Sequence, residues 1–226
     1  MDIMEAIRAR HSVRQYTLDP IRPEHVDALM REISLCNEES GLNIQLVLNE
    51  PKAFHTLIAH YGWLRGVTDY IALIGSADDP ELDEKCGWYG EHLVLQAQML
   101  GLNTCWVAAT YKKIPEAFTL EQGEKLLLVI ALGYGENQGK TRKSRSFEDV
   151  TDATGAVPDW FRRGVEAALL APTAVNQQKF KFSLHGNTVS ARATAKHGPG
   201  MWAKVDLGIV KYHFEAAAGK ENFSWA

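Results

Sequence analysis

Three stretches of the 226-residue sequence carry side chains suited to chemistry. Arg10-His11-Ser12-Val13-Arg14 groups two guanidiniums, an imidazole and a hydroxyl just after a helical pattern. Gly135 to Ser146 holds Lys140, Arg142, Lys143 and Arg145 and no large apolar residue. Such a stretch has to be a loop, and its four cations read either as an anion site or as a solvated basic loop. Ala171-Pro172-Thr173-Ala174-Val175-Asn176-Gln177-Gln178 is a polar break after a strongly amphipathic segment. Plain structural readings stand beside each: Arg10 as a salt-bridging cation at a helix C-terminus, Ser12 as a loop hydroxyl, Asn176 as a loop residue bonding its own backbone.

Other chemistries find little support. His55 and His60 are five apart, on different faces of a helix, and no HExxH occurs. Cys36, Cys86 and Cys105 are odd in number and widely spaced, so neither a disulfide framework nor a zinc site is expected, and a reducing compartment is the default. Cys105, in Thr104-Cys105-Trp106-Val107, reads as a small core residue. Gly133, Gly135 and Gly139 have the wrong spacing for a GxGxxG turn, and their strand runs into a basic loop rather than a helix. No acid–base residue stands out.

The elements that must position these stretches are legible. Asp2 precedes a short helix through Ile3, Ile7 and Ala9. Pro23 opens a second, with Val26, Leu29, Met30 and Ile33 at helical spacing. Asn43 to Leu48 and Tyr70 to Ile74 read as strands, and Pro51 as the start of a helix. Glu84 to Leu100 is a long helix with Gly101 as its C-cap. Leu126 to Leu132 is the strongest strand, stopped by Gly133. Pro158 to Leu170 is a helix with Phe161, Val165, Ala168 and Leu169 on one stripe. Phe180 to Leu184 and Thr188 to Ala195 flank His185-Gly186-Asn187 as a hairpin. After His197-Gly198-Pro199-Gly200, Trp202 starts a last helix reaching Ala218 and Gly219. Gly90 and Gly101 share their spacing with Gly208 and Gly219, which either duplication or chance explains.

Composition narrows the class. Lys and Arg number 24 against 28 Asp and Glu, a net charge of −4, with 46% hydrophobic and 23% charged residues. That is an ordinary soluble globular chain, and its mixed charge argues against a dedicated nucleic-acid partner. The longest apolar run, Leu126 to Leu132, falls far below the roughly 20 residues of a spanning helix, so no membrane partner is expected. Met1-Asp2-Ile3-Met4-Glu5 carries acids where a signal peptide is basic, and the expected location is cytoplasmic.

Four segments together resemble the FMN-dependent nitroreductase family. Arg10-His11-Ser12-Val13-Arg14 is similar to the family's R-[RH]-S-x-[RK]. Leu95 to Trp106 resembles L-x-A-x-x-x-G-L-G-T-C-W, with Asn103 in place of Gly. Ile130-Ala131-Leu132-Gly133-Tyr134-Gly135 with Lys143-Ser144-Arg145 is similar to a strand ending G-Y-P and a downstream K-x-R, with Gly135 in place of Pro. Ala168 to Gln178 resembles A-P-S-x-x-N-x-Q-P-W, with Thr173 for Ser and without the Pro-Trp. The departure is in order: the family's A-P-S-x-x-N usually follows soon after the N-terminal motif, where this chain has Ile33 to Gly41 instead.

The resemblance implies an α+β nitroreductase-like fold, a mixed or antiparallel sheet flanked by helices, in one domain over 1–226. It implies FMN held by Arg10, His11, Ser12, Lys143 and Arg145 at the phosphate or ribityl chain. Arg14 falls on the flavin's N1–O2 edge, and Pro172, Thr173 and Asn176 on the turn against it. NAD(P)H would be a transient electron donor and a small nitroaromatic or quinone the acceptor, in a two-electron ping-pong cycle. Family members intertwine as dimers, one subunit giving the phosphate residues and the other the turn. The displaced turn therefore reads as an internal pseudo-dimer with halves 1–150 and 151–226, a monomer with one flavin, or as a homodimer with a migrated turn. Altered Asn103, Gly135 and Lys179-Phe180 leave room for a flavin carrier or sensor without turnover.

Overall fold

The computed structural model describes residues 1–54, 64–194 and 201–226, which form two compact units. One, built on a four-stranded sheet, takes in Ala9–Leu82 and His92–Thr141; the other, built on a three-stranded sheet, takes in Met1–Arg8, Asp83–Glu91 and Arg142–Ala226.

The four-stranded sheet consists of β1 (Gln45–Val47), β2 (Asp69–Ser76), β3 (Asn103–Val107) and β4 (Glu124–Gly133), in the order β1-β2-β4-β3 and antiparallel throughout. Tyr70 to Ile74 and Leu128 to Leu132 are buried without alternation, which marks strands covered on both faces. Helix α2 (Pro23–Ser40) starts on its proline and buries Leu29, Ile33 and Cys36. It stops at Gly41, whose φ of 71° lets its N–H reach the Asn37 carbonyl. The segment opened by Pro51 makes one 3₁₀ turn, Pro51–Ala53; the rest of the expected helix lies outside the described residues.

Two helices have members in both units. α1 (Ile3–Ala9) is begun by a reciprocal cap in which Glu5 N–H donates to Asp2 and Asp2 N–H to Glu5. α3 (Leu82–Met99) closes with Gly101 at φ 80° and the Leu102 N–H on the Ala97 carbonyl, the glycine-dependent end expected from the sequence.

In the second unit, β5 (Phe180–His185) and β6 (Thr188–Ala193) form the expected antiparallel hairpin, turning through Gly186 at φ 61°. A further strand, β7 (Ser224–Trp225), lies parallel to β6, so this α+β fold has one antiparallel sheet and one mixed sheet. α4 (Asp159–Ala168) buries the stripe Phe161, Val165 and Ala168, and α5 (Ala203–Ala218) packs against it. Phe161, Phe182 and Phe214 make the centre, with Phe182 stacked on Phe214 at 4.9 Å. Gly208 has its own reason to be glycine: a Cβ there would fall on the Glu84 carbonyl of α3, and one at Gly87 on that of Val205. Beside this crossing, Glu91 and His213, both fully buried, meet at 2.8 Å. Among the described residues no helix is long and apolar enough to cross a membrane.

Candidate functional site

Arg10 to Tyr16 run as extended chain in the four-stranded unit. Val13 N–H donates to Thr104 O at 3.0 Å, Arg65 N–H to Arg14 O and Tyr16 N–H to Arg65 O, each at 2.9 Å. Fully buried Val13 and Tyr16 anchor the segment from below. Arg10, Ser12 and Arg14 all act on the Cys105 thiol of β3. Burial pushes that thiol up, while the charges of Arg14 and Arg10 and a hydrogen bond from Ser12 pull the other way. The unit thus brings these three candidates together. Arg10 is only 4% exposed, whereas Arg14 is open to solvent. His11 Nδ1 lies 2.9 Å from Ala9 O; a carbonyl only accepts, so Nδ1 carries the proton.

Two of the residues that depart from the resemblance, Asn103 and Gly135, prove to be partners. Asn103 is buried at the start of β3, and its Oδ1 accepts the Gly135 N–H at 3.0 Å while its Nδ2 donates to Gln138. Proline at 135 has no N–H to offer, and glycine at 103 has no amide to receive it. The space agrees: a Cβ at Gly135 would crowd the Asn103 Oδ1 and the Val13 side chain at 2.8 Å.

In the other unit the basic loop divides into inward and outward cations. Arg142 donates to the carbonyls of Leu170 and Ala171, and Ser144 Oγ to that of Leu169 at 3.1 Å. These are carbonyls left without helical partners where α4 ends, and a guanidinium there also suits the helix dipole. Lys143 and Arg145 keep exposed side chains. Their backbone is gripped by buried Gln178, whose Nε2 donates to Lys143 O at 2.9 Å and whose Oε1 accepts Arg145 N–H at 2.9 Å.

Gln178 closes a tight turn that starts behind buried Pro172. Asn176 N–H donates to Thr173 O and Gln178 N–H to Thr173 Oγ1, while Asn176 Nδ2 donates to Lys143 O at 3.0 Å. Val175, Asn176 and Gln178 have φ of 47°, 54° and 47°. Asn tolerates that region; β-branched Val175 does not. Asp206 of α5 accepts from both Ala174 N and Gln177 Nε2.

Pro172, Thr173, Asn176, Lys143 and Arg145 therefore form one cluster in the three-stranded unit, and Arg10, His11, Ser12 and Arg14 another in the four-stranded unit. Gln178, Gln177 and Asp206 were not among the residues singled out. Gln178 had a signal, since it falls on the Gln of the quoted motif; Asp206 is one acid on a helix, with no spacing to mark it. Among the described residues no group of three or more His, Cys, Asp or Glu is placed to hold a metal ion.

A protein-family model described as "Putative TM nitroreductase" matches residues 2–218. No curated protein matches the sequence. Among solved structures, one from Thermotoga maritima MSB8 described as a "putative nitroreductase" is 23% identical, over 96% of this chain and 83% of that one, with a TM-score of 0.66. A protein from Desulfovibrio desulfuricans described as a "putative nitroreductase in complex with FMN" is 18% identical over 70% and 99%, with a TM-score of 0.55. A Parabacteroides distasonis protein described as an NADH dehydrogenase/NAD(P)H nitroreductase is 21% identical over 66% and 95%, with a TM-score of 0.52. At these identities the likeness is one of fold.

Proposed function

The chain belongs to the nitroreductase family whose model spans residues 2–218, and from that premise we propose that it is an FMN-dependent oxidoreductase. It carries two electrons from NAD(P)H to a nitroaromatic or quinone-type acceptor in a ping-pong exchange. When bound, FMN supplies the hydride chemistry, so the protein's part is to bind, orient and tune.

The donor set fits the group. FMN ends in a phosphate of nearly two negative charges, which needs cations and hydrogen-bond donors in place of its hydration. Arg10, Ser12, Lys143 and Arg145 are assigned to that phosphate and His11 to the phosphate or ribityl chain. Arg14, exposed and cationic, is assigned to the pyrimidine edge, where fixed positive charge favours the reduced flavin. Pro172, Thr173 and Asn176 are assigned to the turn against the ring. The observation that carries the reading is the Gln178 clamp: it joins the backbone of Lys143 and Arg145 to the turn of Thr173 and Asn176 within one chain. It also supports the pseudo-dimer reading, halves 1–150 and 151–226 in a monomer with one FMN, over a homodimer. The hydrogen bond between Asn103 and Gly135 gives two of the altered positions a structural reason, which removes part of the ground for a carrier without turnover. Three buried, free cysteines suit a reducing compartment, and we place the protein in the cytoplasm.

The test is direct. The purified protein is expected to be yellow, with a band at roughly 450 nm, and to bleach rapidly when mixed with NADH or NADPH in a stopped-flow instrument. Arg145→Ala and Arg10→Ala are expected to weaken FMN binding by roughly 10- to 150-fold each, the equivalent of about 1.5–3 kcal/mol for a lost charge-assisted bond. A colourless protein with no affinity for added FMN would overturn the reading. Colour without bleaching would favour the carrier.

A further inference from the structure

Asp206 lies in the first turn of α5 and is 7% exposed. Its Oδ1 accepts the Ala174 N–H at 2.9 Å and its Oδ2 the Gln177 Nε2–H at 2.7 Å. Those donors stand at the two ends of Ala174-Val175-Asn176-Gln177, the stretch in which Val175 and Asn176 are both left-handed. Left-handed backbone at non-glycine residues persists only where the surroundings over-determine it. Val175 cannot supply that hold itself, for its side chain is 81% exposed. Beside the bonds within the turn and to Lys143, the carboxylate ties both ends of the bend to α5.

We propose that Asp206 is a positioning residue that holds the 173–178 turn, and with it Thr173, Asn176 and Gln178, in the FMN-binding arrangement. The proposal rests on the flavin reading above. Its chemistry requires the ionised carboxylate, since each oxygen now faces an N–H. Protonation turns one oxygen into a donor, and one of the two bonds is lost.

Burial raises the Asp206 pKa from 3.8 to about 6, against the lowering effect of the bonds from Gln177 and Ala174. Among the described residues no charged side chain contributes. The turn itself, Thr173 to Gln178, has no ionisable residue, and Lys204 on the same turn of α5 is exposed. On α3, Glu84 is ion-paired with Lys211, and Glu91 is hydrogen-bonded to His213.

The linkage gives two effects of opposite sign. The folded pKa lies above the unfolded value, so the folded state takes up the proton more readily. Through this group global stability rises as pH falls from about 6 towards 4. Over the same range the turn loses its anchor, and FMN affinity falls.

The experiment titrates FMN into the flavin-free full chain from pH 7.5 to 5 and repeats it with Asp206→Asn. The FMN phosphate itself titrates near pH 6, but that contribution is common to both proteins. The wild type is expected to lose up to about tenfold more affinity than the variant between pH 7 and pH 5, so that the two converge at low pH. Gln177→Ala removes a bond that lowers the pKa and should move the break above pH 6, which keeps the test alive if Asp206→Asn does not fold. Parallel profiles, an unmoved break, or affinity and stability rising together on acidification would each overturn the role of Asp206 in a protein that still binds FMN. A wild type that binds no FMN at pH 7.5 would instead sink the flavin reading, and the proposal with it.

Discussion

Two regions of this chain stand where the family resemblance allows an A-P-S-x-x-N turn, and they have opposite outcomes. Ile33 to Gly41 continues α2 for its last turns and stops only at the glycine. Ala171 to Gln178 makes no more than one distorted 3₁₀ turn, Ala174–Asn176, in a bend with three left-handed residues. Each is stitched to its neighbour by one side-chain amide reading a backbone N–H and C=O together. Asn37 accepts Ile44 N–H at 2.8 Å and donates to Ile44 O at 3.0 Å; Gln178 does the same for Arg145 and Lys143. Proline makes the difference. Pro172 can continue no helix and pushes Ala171 out of helical conformation, so α4 ends and the chain is free to bend. With no proline between 33 and 41, nothing interrupts the i→i−4 ladder. The amide at 37 then serves entry into β1, while the amide at 178 serves the presentation of two cations.

The comparison is broken most severely by giving the first region the residue it lacks. Leu35 is 52% exposed, so Leu35→Pro tests the backbone alone. It should cost about 3 kcal/mol or more, read as a fall in the urea midpoint with loss of helical circular dichroism. If stability is unchanged, proline is not what separates the two regions.

The two amides come next. Asn37→Leu and Gln178→Leu each strand a backbone donor and acceptor, and each is expected to destabilise by about 1–3 kcal/mol. Only Gln178→Leu should also weaken FMN binding, on the order of tenfold, because Lys143 and Arg145 lose the frame that presents them. Equal effects of the two variants on flavin titration would erase the distinction.

The smallest expected effect is at Val175, where relief of left-handed strain at a β-branched residue outweighs the chain entropy of glycine. Val175→Gly should stabilise by about 0.5–1 kcal/mol, seen as a small rise in melting temperature. A loss of stability would mean that the turn is not strained there.

The elements were legible wherever a local rule sufficed. Pro23, Gly101, the Phe161 stripe and the Gly186-Asn187 turn mark their own boundaries, because caps, periodicity and positive φ act over four or five residues. The clusters were legible only through the resemblance: composition alone left Lys140 to Arg145 as either an anion site or a solvated loop. Tertiary structure divided those cations, turning Arg142 to the carbonyls at the end of α4 and leaving Lys143 and Arg145 outward. It also paired Asn103 with Gly135, set Gly208 against Glu84, added β7 to β6, and brought Asp206 to a turn some thirty residues earlier in the chain. None of these has a spacing to betray it. A hydrogen bond or a close backbone approach between distant residues depends on where two separately formed elements meet, and only the packed core decides that.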